Sequence, residues 1–303
     1  MAGKAAYIPA MTSHIDQALA FTIPDRHARG RLVRLGPALD QILGAHGYPP
    51  AIERVLAEAL VLTALLGSTL KDATGQLTLQ AQTQGGPIDL LVCDYRGGEM
   101  RGYLRHDADR TAKLGDQPIL ADLFGTGYLA ITFDQAVTGE RYQGIVPLEG
   151  ASLAEAAQSY FAQSEQIPSL VRIGFDRAGR VAGGLMLQHL PEGEEGRERL
   201  HTRLDHPEWE HVAALGGSVQ SGELTDARLP LESLLWRLFN EDEVRIQPAL
   251  ALSRGCRCDP QHVRTVIDRF PAEDRAAMAD ADGVIRVDCE FCARRFSIEL
   301  AAA

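Results

Sequence analysis

The sequence predicts an α+β protein in three parts: an N-terminal, mostly antiparallel sheet domain packed with helices, a helical linker, and a small C-terminal α/β module. Three observations lead there. Short runs of alternating apolar and polar residues recur between turns up to about residue 190. The composition turns sharply polar after Pro191, and two close cysteine pairs stand near the C-terminus. With 303 residues, 45% hydrophobic and 23% charged, the chain has ample material for a packed core.

From about residue 50 to 72, Ile52, Val55, Leu56, Leu60, Leu62, Leu65 and Leu66 recur at helical spacing after Pro49-Pro50. The apolar run ALVLTALLGSTL (59–70) is too short to span a bilayer and reads as a buried helix. QLTLQAQT (76–83) alternates as a strand does. IDLLVCDY (88–95) and MRGYLRH (100–106) follow, set off by Gly-rich turns. GYLAITF (127–133) and RYQGIVPL (141–148) add two more strands. Ser152 and Glu155 then stand at capping-box spacing ahead of a helix. SLVRIGF (169–175) and VAGGLMLQHL (181–190) return to strand character, so residues 1–190 read as one core domain with a mostly antiparallel sheet.

After Pro191 the stretch EGEEGRERLHTRLDHPEWEH is densely charged, and a Gly/Ser-rich turn follows it. PLESLLWRLFNEDEV (230–244) then places Leu231, Leu234, Leu235, Leu238 and Phe239 on one helical face. Little here makes a self-sufficient core, so residues 191–255 are expected to form a metastable helical linker that leans on a neighbour. Residues 256–303 are too few for a large core and need a staple.

That staple is legible as Cys256-Arg257-Cys258 followed by Cys289-Glu290-Phe291-Cys292. Between the pairs, Asp259-Pro260 reads as an N-cap with a first-turn proline, and PAEDRAAMAD (271–280) as a second short helix. GVIRVDC (283–289) and RRFSIEL (294–300) read as an antiparallel hairpin. Four thiolates suit a closed tetrahedral Zn²⁺ site with no open position for a substrate water. A permanent clamp, a disulfide switch and a chance cluster are the three readings to separate. C-x-C holds two thiolates closer than folding alone requires. Zinc keeps them ionised and nucleophilic towards peroxide or hypochlorite, and a sulfenic acid on one sulfur can condense with its neighbour.

Structural zinc in small modules is worth about 10–16 kcal/mol, against about 5–15 kcal/mol for the stability of a whole domain. Loss of the metal is therefore expected to unfold the module and to release the linker. The apolar surface then exposed would include Leu234, Leu235, Trp236, Leu238 and Phe239.

Beyond these pairs, the stretches GTGYLAITFD (125–134), GERYQGIVPLEG (139–150), YFAQSEQIPS (160–169), GGLMLQHLP (183–191) and LWRLFNEDEV (235–244) carry a resemblance over nearly the whole chain. The sequence resembles the 33-kDa heat-shock protein family, or HslO family, of redox-regulated holdase chaperones. The resemblance implies a cytoplasmic chaperone that needs no ATP. Its reduced form would hold one zinc per chain on Cys256, Cys258, Cys289 and Cys292 and be inactive. Oxidation would form Cys256–Cys258 and Cys289–Cys292 disulfides, expel zinc and unfold the linker. The active form would be a homodimer that binds unfolding clients and hands them to ATP-dependent foldases. Ala293 departs from the glycine that the family often has after the second pair, and no longer tail is expected beyond the module.

Other features weigh less. Asp and Glu outnumber Lys and Arg by 41 to 30, for a net charge of −11, which argues against a broad nucleic-acid surface. The N-terminus lacks the apolar core of a secretory signal, so a reducing cytosol is expected. Cys93 reads as a buried structural thiol. His201, His206 and His211 recur every fifth residue, which lines no helix face, and read as solvated. His262 lies near the first pair, but four thiolates already fill a zinc site. No nucleophile–base or paired-carboxylate arrangement emerges, so an enzyme is not expected. Two alternatives stay open: a zinc-module protein whose metal is purely structural and which binds a protein or nucleic-acid partner, and a thiol oxidoreductase acting through C-x-x-C.

Overall fold

The computed structural model describes residues 15–115, 118–137, 139–190 and 206–299. The hairpin β1 (Gln17–Ile23) and β2 (Ala28–Leu35) comes first. Helices α1 (Pro37–Leu43) and α2 (Pro50–Gly67) follow, each with proline in its first turn, where a missing N–H costs nothing. From Ala59 to Gly67, α2 is buried on every side, as a helix that is apolar all round must be. Among the described residues no helix is long and apolar enough to cross a membrane.

A meander of β3 (Gln76–Gly85), β4 (Ile88–Arg96) and β5 (Glu99–His106) leads through two short helices, α3 (Ala108–Thr111) and α4 (Leu120–Phe124), to β6 (Gly125–Asp134) and β7 (Arg141–Pro147). Helix α5 (Leu153–Tyr160), closed by a π-turn, precedes the hairpin β8 (Ser169–Asp176) and β9 (Val181–His189). The Ser152 hydroxyl accepts the Glu155 N–H at 3.2 Å, as the capping spacing predicts. The Glu155 carboxylate, however, accepts from Ala151 N–H at 2.7 Å, one residue earlier than a reciprocal box requires.

These strands do not make the single sheet expected from the sequence. They divide into two, one built on β8-β9-β2-β1 and one on β5-β4-β3-β6-β7. The reason is α2. A helix that is apolar all round cannot be covered from one side, and it packs both on Val33, Ala182 and Met186 of the first sheet and on Leu79, Cys93 and Leu104 of the second.

The far face of the first sheet carries a second cover, formed by α6 (Pro207–Gly217), α7 (Ser221–Thr225) and α8 (Leu231–Phe239). Trp209, Val212, Leu234, Leu235, Leu238 and Phe239 pack there on Leu19, Phe21, Ile23, Leu32, Leu185 and Leu187. The Phe21 and Phe239 rings lie 6.1 Å apart. The expectation that this segment leans on a neighbour is met, and the neighbour is the sheet face formed by β1, β2 and β9. The charged stretch 191–205, with His201, lies outside the described residues.

After α8 the chain runs extended along the edges of both sheets. β10 (Arg245–Ile246) and β11 (Leu250–Ala251) pair antiparallel with β1, and β12 (Ser253–Arg254) pairs parallel with β5. This strap delivers the chain to a small module of α9 (Pro260–Ile267), α10 (Ala272–Met278) and the hairpin β13 (Val284–Asp288)/β14 (Arg295–Glu299). Its apolar cluster is Ile267, Ile285 and Ile298, with Val263, Ala279 and Val287 packed against them. Burying one such side chain contributes about 1.5–3 kcal/mol, while ordering each residue costs about 1–2 kcal/mol of backbone entropy alone. Burial on this scale does not hold the module together.

Candidate metal centre

Each cysteine pair is aimed by a short backbone device. The first pair leaves β12 with Gly255 N–H bonded to Met100 carbonyl at 2.8 Å. It ends where the Asp259 carboxylate accepts the Gln261 and His262 N–H groups, both at 3.2 Å, which starts α9 as the N-cap spacing predicts. The second pair occupies the β13–β14 turn. There Cys289 N–H bonds Arg294 carbonyl at 2.9 Å, and Cys292 and Ala293 donate back to Cys289 carbonyl at 3.2 and 2.8 Å. Ala293 closes this turn with φ of 54°. In the left-handed region a Cβ crowds the backbone and glycine is favoured.

The result is convergence. The four Sγ atoms lie within 4.8 Å of one another and are half-buried. Cys256 lies 3.3 Å from Cys258 and 3.6 Å from Cys289, and Cys258 lies 3.5 Å from Cys292. A Zn–S bond of about 2.3 Å places tetrahedral sulfurs about 3.8 Å apart, so these separations match the edges of such a site to within a few tenths of an ångström. They are far from the ~2.05 Å of an S–S bond, and all five thiols are unbridged. Burial, then hydrogen bonds and charge from the neighbouring sulfurs, push the Cys258 thiol up to about 12. A divalent cation among the sulfurs reverses that cost and favours the thiolates. The donor set is sulfur alone, which suits zinc.

Other sequence candidates fall outside this centre. His262 is exposed and does not join the sulfurs. Cys93 is fully buried beneath α2, and burial raises its thiol pKa, so it is inert as a nucleophile. The reading of His206 and His211 as solvated is corrected. His206 is half-buried, stacks beside His189 with ring centroids 5.0 Å apart and meets Glu208 at 2.5 Å. His211 Nε2 lies 3.0 Å from Asp242 Oδ2. His206 thus lies at the seam between cover and core, beside His189 of β9, while His211 is half-buried against Asp242 within the cover. On α8, Leu234, Leu235, Leu238 and Phe239 are buried as one face, but Trp236 is 69% exposed. At 100° per residue it falls on the opposite side of the helix, so it does not belong with that face.

Sequence reading missed the polar ties that hold the cover. The Arg34 guanidinium, fully buried in β2, donates to the carbonyls of Leu224 at 2.9 Å, Leu229 at 2.5 Å and Glu223 at 3.0 Å. Asp242, just past α8, accepts from Arg26 Nε at 2.8 Å as well as facing His211. Nothing local in the sequence signals contacts this distant along the chain.

Residues 16–299 match the family model described as Hsp33 protein. The 33 kDa chaperonin of Caulobacter vibrioides is 40% identical over 294 residues, covering 94% of this chain and 95% of that one. The 33 kDa chaperonin of Yersinia pestis is 34% identical over 288 residues, covering 94% and 92%. A solved structure from Thermotoga maritima, described as a 33 kDa chaperonin (heat shock protein 33 homolog), superposes with a TM-score of 0.75. It covers 94% of this chain and 95% of its own at 22% identity, a likeness that speaks for the fold alone.

Proposed function

This chain belongs to the Hsp33 family, and from that premise we propose that it is an ATP-independent holdase chaperone, inactive with zinc bound and activated by oxidation. Residues 1–190 act as the core that dimerises and binds clients, residues 191–255 as a releasable linker, and residues 256–303 as the redox switch. A bound Zn²⁺, one per chain, supplies the dication that keeps Cys256, Cys258, Cys289 and Cys292 ionised and staples the module.

Attack of one thiolate on peroxide gives a sulfenic acid and hydroxide. The neighbouring thiolate then displaces a second hydroxide as the S–S bond closes. Two peroxides per chain accept four electrons and leave Cys256–Cys258 and Cys289–Cys292 disulfides, with no thiolate remaining as a ligand. The module loses its staple, the strap loses its anchor, and α6–α8 leave the sheet. That bares Leu234, Leu235, Leu238 and Phe239 together with Leu19, Phe21 and Leu32 beneath them, a contiguous apolar surface of the kind that binds unfolded chains. Trp236, exposed from the outset, adds to it from the other side of α8.

The observation that carries this reading is the convergence of four sulfurs in a module with little core of its own, one strap away from a cover lying on apolar sheet. The active form is a cytoplasmic homodimer that yields its clients to ATP-dependent foldases after reduction. It is a binding protein rather than an enzyme, with no nucleic-acid or membrane partner. The test is to oxidise zinc-loaded protein with hypochlorite, or with peroxide under mild heat, and to follow zinc release and aggregation of a thermally unfolding client. Zinc release with suppressed aggregation is expected. Retained zinc would favour a purely structural metal, and release without suppression would refute the holdase.

A further inference from the structure

The residues between the cysteines do not face solvent alone; they reach the core. Arg257, in the middle of the first pair, donates from Nη1 to Gln76 Oε1 at 2.5 Å. Gln76 Nε2 donates to the Thr78 hydroxyl at 3.0 Å, and that hydroxyl donates to Asp94 Oδ1 at 2.8 Å. The other Asp94 oxygen accepts from Arg101, at 2.7 Å from Nε and 2.6 Å from Nη2. The Arg101 guanidinium lies 4.0 Å from the ring centroid of Phe291, between the cysteines of the second pair. Phe291 also meets Tyr103 edge-on, with centroids 6.5 Å apart.

Register explains the order of this chain of contacts. Thr78, Asp94 and Arg101 are direct cross-strand partners on β3, β4 and β5, while Gln76 and Tyr103 stand two residues away on the same side. That side is the outer face of the second sheet, opposite Leu77, Leu79 and Cys93, which face α2. One continuous path thus begins at Arg257, between the cysteines of the first pair, and ends at Phe291, between those of the second.

We propose that Arg257 and Phe291 are the two prongs by which the module docks on this face, and that the four-sulfur centre sets their spacing. This inference rests on the redox reading above and names the contact through which the centre acts. With the pairs held at one centre, both prongs reach their partners, and β12 stays zipped to β5 beside them. Once the pairs close separately, nothing ties residue 257 to residue 291, and the docking is lost before the strap opens.

The experiment uses the reduced, zinc-loaded full-length chain. Phe291→Leu keeps bulk but removes the ring under Arg101, Arg257→Ala removes the other prong, and Phe291→Tyr restores a ring. Zinc should remain at one per chain in all three, and hydrogen exchange across 245–254 should quicken at least tenfold in the first two, followed by 207–239. Phe291→Tyr should return towards wild type, which a role for bulk alone would not require. Unchanged protection in Phe291→Leu and Arg257→Ala would overturn the proposal, and so would loss of zinc, since the residues would then build the centre rather than dock it. Oxidised wild type is assayed alongside. If it fails to hold a client while the reduced variants still show faster exchange, the holdase reading falls and the docking role stands.

Discussion

One face of the first sheet is covered by α2 and the other by α6–α8, and the two covers are attached differently. Helix α2 is buried from Ala59 to Gly67 on every side and packs on two sheets at once. It cannot leave without dissolving the core. The α6–α8 layer buries one face against one sheet. Its polar ties include Arg34 with three carbonyls of residues 223–229, and Asp242 between Arg26 and His211. Its far end runs through two-residue strands to the cysteine module. The same strands therefore carry one cover locked between two sheets and one laid on a single face, and the second is followed along the chain by the four-cysteine module.

The sharpest way to break this comparison is to truncate one apolar anchor in each cover. Phe239→Ala should cost about 3–5 kcal/mol and Leu60→Ala about 2–5 kcal/mol. The first should open only α6–α8, leaving the main thermal transition in place, and the second should lower that transition itself. Differential scanning calorimetry with hydrogen exchange separates the outcomes, and a shared global loss in Phe239→Ala would contradict two separable covers. Of comparable size, Arg34→Met leaves the buried Leu224 and Leu229 carbonyls and the part-buried Glu223 carbonyl without this donor, at about 1–3 kcal/mol for each buried group left unsatisfied. Faster exchange in 207–239 with zinc still bound is expected.

A smaller effect is set by pH. Burial pushes the Asp242 carboxyl up, but its bonds to Arg26 and His211 outweigh this and hold it below the usual carboxylate range. With the folded value depressed, its contribution is complete above the unfolded value of about 3.9 and is lost as pH falls through the folded value. Emission of buried Trp209, read in a Trp236→Phe background, should shift to the red below about pH 4. Asp242→Asn should loosen the cover at neutral pH by about 1–2 kcal/mol and flatten that dependence. The smallest change is Ala293→Gly. Relief of the left-handed φ of 54° should stabilise the module by about 1 kcal/mol, measured as slower zinc loss to a chelator.

Much of this organisation was legible in the sequence, and the gaps have physical causes. β3 and the cap of α5 were readable because alternation and the Ser152 bond are local. Asp259 and the β13–β14 hairpin were readable for the same reason. β1, β2 and α1 were not anticipated. In β2, ARGRLVRL, arginines occupy strand positions on a sheet covered on both faces, so polarity does not report exposure there. The two-residue strands β10, β11 and β12 exist only because the edges of β1 and β5 lie beside them. The four cysteines could be grouped from spacing alone. The prongs between them could not, because Arg257 meets a side chain 181 positions away.

The central claim is that the four-cysteine module governs one cover of the first sheet and not the other. Hydrogen exchange on reduced, zinc-loaded protein and on fully oxidised, zinc-free protein tests it most directly. Oxidation should abolish protection across 207–254 while α2 keeps its own. Equal protection of 207–254 in both states, or simultaneous loss in α2, would contradict the account.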